Sequence, residues 1–352
     1  MKYSKLTYYL LAILCMIATS CVTDGVMDDR SDNSDENNPA LIKGGKVNLI
    51  LSFPSTSTRS ITGDTTDGME GERKINDVQI YTFFNDRFIE EVQNILISGT
   101  DGSTTRRIEG RLTETYANNG KMEFVVIANA KSKNITNISL RKGISKKNDL
   151  YQQLTYTYAE NDWTENIPMW GVSTVTLPIT EEGYNVGEVT LKRAIAKVNV
   201  TVNDGNGVKG FEITEIKLEN YNTKGYCAPI PAVADGQPSV PADATCSLTA
   251  LTSGPLSGAE GNNFADRFYI PEHKNIRVDD SKKVYLTITA TINGNYSKTY
   301  TLPFVEENMP YDVLRNYIYI FNIVSVKTEF DCELTYEVLA WDTETVIVPP
   351  FN

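Results

Sequence analysis

The chain carries a single histidine, His273, in 352 residues. Without a second imidazole there is no histidine pair for a zinc site and no relay beside a nucleophile. Its five cysteines (Cys15, Cys21, Cys227, Cys246 and Cys332) show no CxxC or Cys/His spacing, and no phosphate loop or dinucleotide fingerprint occurs. Cations are scarce as well: 33 Lys and Arg face 45 Asp and Glu, a net charge of −12. That balance excludes nucleic acid and anionic surfaces as expected partners. The carboxylate pairs Glu181-Glu182 and Glu306-Glu307 fall in polar connections, where they read as solvated charge rather than as a glycosidase pair. No catalytic residue, metal ligand or cofactor is expected, and His273, next to Ile270-Pro271-Glu272, reads as a surface histidine in a turn.

Long apolar runs are missing too. The longest, Leu6 to Ala18, is shorter than the ~18 residues of a membrane span and follows Lys2 and Lys5. It has the charged, apolar and small-residue sections of a secretory signal over residues 1–20. Ala18-Thr19-Ser20 then precede Cys21, as a lipoprotein signal peptidase requires, so Cys21 is the expected lipid-bearing residue. An acylated cysteine is held to a membrane at ~0.8 kcal/mol per buried methylene. Val22 to Ala40 contains Asp24, Asp28, Asp29, Asp32, Asp35 and Glu36 with few large apolar side chains, a tether unable to bury a core.

Beyond the tether the pattern is β throughout. Val47-Asn48-Leu49-Ile50-Leu51-Ser52-Phe53, Ile195 to Val202 and Val284 to Ile292 alternate with period two, the mark of strands with one buried face. Val78 to Phe84, Met122 to Ala128 and Tyr317 to Val326 are apolar on both faces. Glycine-containing clusters such as Ser98 to Gly102 and Asn293-Gly294-Asn295 separate these runs, as hairpin bends do. Lys147 to Ala159 is the one helix candidate. Short strands and frequent turns predict an all-β protein of two β-sandwich domains in tandem, divided near Thr180-Glu181-Glu182-Gly183. The expected divisions are 1–20 (signal), 21–59 (tether and first strand), 60–182 (first sandwich) and 183–352 (second sandwich). Cys227, Cys246 and Cys332 read as small buried residues, with a Cys227–Cys246 bridge as the alternative.

Several segments carry a resemblance. They are Lys121 to Asn129, Ile167-Pro168-Met169-Trp170-Gly171, Leu191 to Val198, Phe268-Tyr269-Ile270-Pro271-Glu272, Leu314 to Tyr319 and, near the end, Val338-Leu339-Ala340-Trp341. In this order, behind a lipoprotein signal, the chain resembles the fimbrillins, subunits of the type V pili of Bacteroidales. The resemblance implies two transthyretin-like β-sandwiches and export to the outer membrane as a lipoprotein. It also implies trimming by an Arg-specific extracellular protease, then polymerisation by strand exchange with other copies or related fimbrial subunits into an extracellular fimbrium.

The residues offer the parts such an assembly needs. Val47, Leu49, Leu51 and Phe53 share one face of a first strand, and Pro54 to Ser60 after it is a polar loop with one basic residue, Arg59. Loop tips of this kind are where proteases cut, and the resemblance places cleavage between Arg59 and Ser60. Residues 1–59 hold six basic and six acidic side chains, so the trimmed chain keeps 27 minus 39, or −12. Loss of the strand would leave a groove bordered by unpaired backbone groups, which invites strand addition. Thr345-Val346-Ile347-Val348-Pro349-Pro350-Phe351 is an apolar, extended donor. Four large side chains buried at ~1.5–3 kcal/mol each give ~6–12 kcal/mol before ordering costs. Whether Val346 and Val348 or Ile347 faces inward is open from pattern alone. The alternative readings are a non-polymerising anchor or tip subunit, which keeps its lipid or needs no donor, and a glycan-binding surface lipoprotein with Trp163, Trp170 or Trp341 as a platform.

Overall fold

The computed structural model describes residues 44–53, 68–117, 119–158, 163–202, 211–230, 251–252, 263–292, 294, 296–306, 309–328 and 331–340. They form an all-β sandwich fold. In the first part of the chain the strands are β1 (Lys46–Ser52), β2 (Val78–Phe84), β3 (Arg87–Glu91), β4 (Gln93–Ser98), β5 (Thr105–Arg111), β6 (Lys121–Ala128), β7 (Thr155–Thr157), β8 (Met169–Thr176), β9 (Tyr184–Thr190) and β10 (Lys192–Arg193). In the second they are β11 (Ala196–Val202), β12 (Phe211–Glu219), β13 (Lys224–Tyr226), β14 (Leu251–Thr252), β15 (Asn263–Ile270), β16 (Tyr285–Ile292), β17 (Tyr296–Pro303), β18 (Val305–Glu306), β19 (Met309–Pro310), β20 (Tyr317–Thr328) and β21 (Asp331–Ala340).

Four sheets dominate, with orders β4-β5-β1-β9, β10-β8-β6-β2-β3, β15-β11-β20-β21 and β14-β12-β16-β17. β2 and β6, apolar on both faces in the sequence, are buried almost throughout, as central strands covered on two sides must be. β16 alternates instead, with Leu286, Ile288 and Ala290 buried between half-exposed threonines, so one face stays in contact with water. The change from one pair of sheets to the other falls between Arg193 and Ala196. That is later than the 182/183 division expected from the Gly-containing turn, because β9 pairs with β1 and β10 with β8.

The first two sheets do not stand apart from the last two. The described residues lie within one compact unit, Ile42–Asn352. A small sheet joins Thr155, Tyr156 and Thr157 of β7 to Tyr226, Gly225 and Lys224 of β13. Gly225 permits this contact, since a Cβ there would sit 2.3 Å from the Tyr156 ring and hydroxyl. The expected helix over Lys147–Ala159 is correspondingly cut short: α1 spans only Lys147–Tyr151. The residues after it, Thr155-Tyr156-Thr157, are β-branched and aromatic in alternation, and pairing across the molecule makes them a strand.

β1 and β11 occupy equivalent positions. Lys46-Val47-Asn48 and Lys197-Val198-Asn199 open each strand's core-facing stretch. Each strand is antiparallel to one neighbour (β5 or β15) and parallel to the other (β9 or β20). The tripeptide recurrence was visible in the sequence; its meaning emerges only from the shared pairing.

Candidate functional site: the inserted first strand

β1 is an inner strand. Val47, Leu49 and Leu51 stand opposite Gly110, Ile108 and Arg106 of β5, and on the other side the strand runs parallel to Tyr184–Thr190 of β9. Backbone bonds continue past both ends: the Leu112 N–H donates to the Gly45 carbonyl at 3.0 Å, the Leu191 N–H to the Ser52 carbonyl at 2.9 Å, and the Phe53 N–H to the Thr104 carbonyl at 2.9 Å. Val47, Leu49, Leu51 and Phe53 are all buried, while Ile50 between them is 42% exposed. The strand enters through a narrow gap, since a Cβ on Gly44 would lie 1.5 Å from the Leu112 carbonyl oxygen. Lys46 at its start faces Arg111 and turns its ammonium to Glu109, 3.2 Å away.

At the far end, β1 meets a buried polar cluster that the sequence did not reveal. The Arg193 guanidinium carbon lies 5.4 Å from the centre of the Phe53 ring, a cation–π distance. Arg193 Nε donates to the Glu72 carbonyl oxygen at 3.2 Å, and its backbone N–H to Asn316 Oδ1 at 3.0 Å. Glu72 follows the connection out of β1, and its carboxylate is fully enclosed. Oε1 accepts from Lys197 Nζ at 2.8 Å and from the Tyr269 hydroxyl, and Oε2 accepts the Met69 N–H at 2.7 Å. Burial of a charge is tolerated only with such pairing. Arg193 and Lys197 lie in the segment Leu191 to Val198, but nothing in its pattern distinguishes a buried cation from a solvated one.

A second buried pair lies nearby in the second part of the chain. Arg315 Nη2 is 2.7 Å from Glu272 Oε2, and Arg315 Nη1 donates to the Cys227 carbonyl at 2.9 Å. Burial works against the Arg315 charge, yet Glu272 more than offsets it and the guanidinium pKa is raised. Cys227 itself is a free, buried thiol, pushed up to about 12 by desolvation; Cys246, its alternative bridging partner, lies outside the described residues. His273 is likewise not a surface residue. It is buried, its Nε2 lies 2.8 Å from the Lys282 carbonyl oxygen, and its backbone exchanges two hydrogen bonds with Val313.

The tryptophans do not form a platform among the described residues. Trp163 is buried between Tyr156 and Tyr158, at centroid distances of 5.0 and 5.6 Å, with the Lys133 ammonium 4.2 Å over its ring. Trp170 is half-buried and donates Nε1–H to the Tyr151 hydroxyl at 3.1 Å. Among the described residues no three His, Cys, Asp or Glu side chains are grouped to hold a metal ion.

Cys21, Arg59, Ser60, Val346, Ile347, Val348 and Phe351 lie outside the described residues, as does Trp341. Other basic residues that could compete as cleavage sites are placed. Arg106 and Arg107 belong to β5, paired on both sides by β1 and β4. Arg73 sits in a short 3-10 turn, donating Nε–H to the Gly102 carbonyl at 2.7 Å and Nη1–H to that of Gly68.

An all-β sandwich protein with an enclosed first strand is what this geometry defines. The family described as Fimbrillin-A associated anchor proteins Mfa1 and Mfa2 matches residues 35–346, and the chain belongs to it, a fimbrial protein of the Bacteroidales fimbrillin type. A solved structure of a candidate cell adhesion protein from Parabacteroides distasonis superposes with a TM-score of 0.56 at 17% identity, over 86% of this chain and 99% of that one. The tip fimbrial protein Mfa3 from Porphyromonas gingivalis, solved with a C-terminal truncation, gives a TM-score of 0.51 at 15% identity, over 84% and 100%. At these identities the likeness is one of fold. No curated protein matches the chain.

Proposed function

We propose that the chain is a structural fimbrial subunit, exported as an outer-membrane lipoprotein through Cys21, trimmed after Arg59 by an Arg-specific extracellular protease, and polymerised by strand exchange to support adhesion. The observation that carries the reading is the placement of β1. It is an inner strand with four buried side chains and backbone bonds on both sides, yet only the connection from Pro54 onward ties it to the rest of the sandwich. Once cut, such a strand leaves a slot with two unpaired edges and an apolar floor, and a strand from a neighbouring copy or related fimbrial subunit can fill it. Arg106 and Arg107 in β5 are held by pairing on both sides, which counts against them as competitors of Arg59. The role is architectural rather than enzymatic: the buried His273 and the protonated Cys227 thiol are placed as core groups.

The family's description as anchor proteins favours a second reading, in which β1 and the lipid are retained and the subunit ties a filament to the membrane. The N-terminal residue of protein sheared from cells separates the two. Ser60 is expected of a shaft subunit. A mature chain that still begins at Cys21 would sink trimming and leave the anchor reading.

A further inference from the structure

The enclosed Lys197–Glu72 pair sets an amine beside a carboxyl group, together with the two further groups that joining them requires. Strand register fixes half of the arrangement. Lys197 of β11 lies directly across from Tyr269 of β15 and from Ile318 of β20, so its side chain leaves an inner strand next to the Tyr269 ring, whose centre is 5.6 Å from Nζ. The other half is the Gly71–Arg73 turn. Arg73 Nε–H donates to the Gly102 carbonyl at 2.7 Å, and a Cβ on Gly71 would lie 2.4 Å from the Thr164 carbonyl oxygen. Held on both sides, the turn fixes Glu72. Nζ then stands 2.8 Å from Oε1, the Tyr269 hydroxyl donates to the same Oε1, and the Met69 N–H donates to Oε2 at 2.7 Å.

We propose that Lys197 and Glu72 condense to an intramolecular amide, a covalent modification that joins β11 to the segment following the β1 connection. The ion pair is the state before reaction. One proton passes from Nζ to Oε1. The freed nitrogen lone pair bonds to Cδ, and negative charge collects on Oε2, where the Met69 N–H receives it as an oxyanion donor. Tyr269 gives its hydroxyl proton to Oε1, the Cδ–Oε1 bond breaks, and Oε2 becomes the amide carbonyl oxygen. The second proton lost by Nζ restores the Tyr269 hydroxyl, which thus acts as acid and then base. One water leaves, the third Nζ hydrogen stays as the amide N–H, and nothing is oxidised or reduced.

Two effects favour the reaction. Groups fixed in contact react with effective molarities of ~10⁵–10⁸ M. Two charges out of reach of water also carry a desolvation penalty that a neutral amide built from the same atoms escapes, so the enclosure that opposes the ion pair favours the product. Lys142 and Glu114 make the natural control: their ion pair is as short, 2.7 Å, but the side chains are 54% and 57% exposed, and both charges stay hydrated.

The test uses the full-length chain, refolded from inclusion bodies, incubated, then denatured and digested with trypsin for peptide mass mapping. Trypsin does not cut after an acylated lysine. The expected product is therefore residues 60–73 joined to residues 194–209, lighter than the two peptides together by one water, while the peptides holding Glu114 and Lys142 keep their separate masses. Separate peptides 60–73 and 198–209 after prolonged incubation overturn the proposal. Tyr269→Phe keeps the ring and removes the proton donor, so the joined peptide should appear about a hundredfold more slowly; joining at the parental rate would overturn the part given to Tyr269. A cooperative thermal melt of that variant keeps misfolding apart from lost chemistry. Neither trimming after Arg59 nor assembly enters the readout, so a chain that never polymerises can still carry the amide, and one that polymerises can lack it.

Discussion

Lys197 Nζ lies 2.8 Å from Glu72 Oε1, with side-chain exposures of 3% and 0%. The pair joins β11 to the turn that follows the β1 connection, so the two sequence halves share an ion pair that water does not reach. Breaking it from one side strands the other charge. Lys197→Met and Glu72→Gln are each expected to cost about 3–5 kcal/mol, since the single carboxamide oxygen of a glutamine serves the Tyr269 hydroxyl or the Met69 N–H but not both. Denaturant unfolding of both single variants and the double variant measures this. The double variant should be less destabilised than the sum of the singles, and strict additivity would show that the two groups are not coupled.

Neighbouring residues of β1 should respond oppositely to truncation. Leu49 is buried and Ile50 is 42% exposed. Leu49→Ala should destabilise the uncut chain by about 2–5 kcal/mol, and Ile50→Ala by only about 0.5 kcal/mol. Equal effects would mean that the strand does not present a single face to the core.

The only histidine gives a pH signature. Burial lowers the His273 pKa from its ordinary 6.5, so the unfolded chain takes up this proton at a higher pH than the folded one. The associated stability is fully present above pH 6.5 and is lost as pH falls from there through the folded-state pKa. Unfolding midpoints at pH 7.5 and 5.5 should therefore differ more for the unsubstituted chain than for His273→Asn. Comparing the variant with its parent cancels carboxylates common to both, including Asp312, whose pKa burial raises. Identical pH profiles would remove His273 as the source.

Cys227 should be chemically silent in the folded protein. With its thiol pushed up to about 12 by burial, the thiolate that alkylating reagents need is scarce at pH 8. Peptide mapping after iodoacetamide treatment should find Cys227 unmodified in native protein and modified in denaturant. Rapid native labelling would show that the site opens.

Particular residues mark how far the chain could be read on its own. Alternation along Val47, Leu49 and Leu51 placed those side chains inward, and runs such as Val78–Phe84 announced strands covered on both faces, because burial of a strand repeats every two residues and needs no distant information. The segments around Val126, Trp170, Lys197, Tyr269 and Tyr317 carried the family resemblance. His273 was misread because its polar neighbours suggest a turn at the surface, whereas a backbone bridge to Val313, forty residues away, draws it inside. The helix after Lys147 was overextended for a related reason: Gly225, nearly seventy residues on, accepts Tyr156 as a strand partner.

Local chemistry thus settled which faces of the strands are apolar and the acidity of the chain. Tertiary structure decided that β1 is an inner strand rather than an edge, that Arg193 stacks on Phe53, and that Glu72 and Lys197 meet away from water. Those outcomes depend on partners 53 to 140 positions apart, and sheet order is chosen by the closing of a shared core. A residue's own periodicity records which side it turns inward; it holds no record of what waits there.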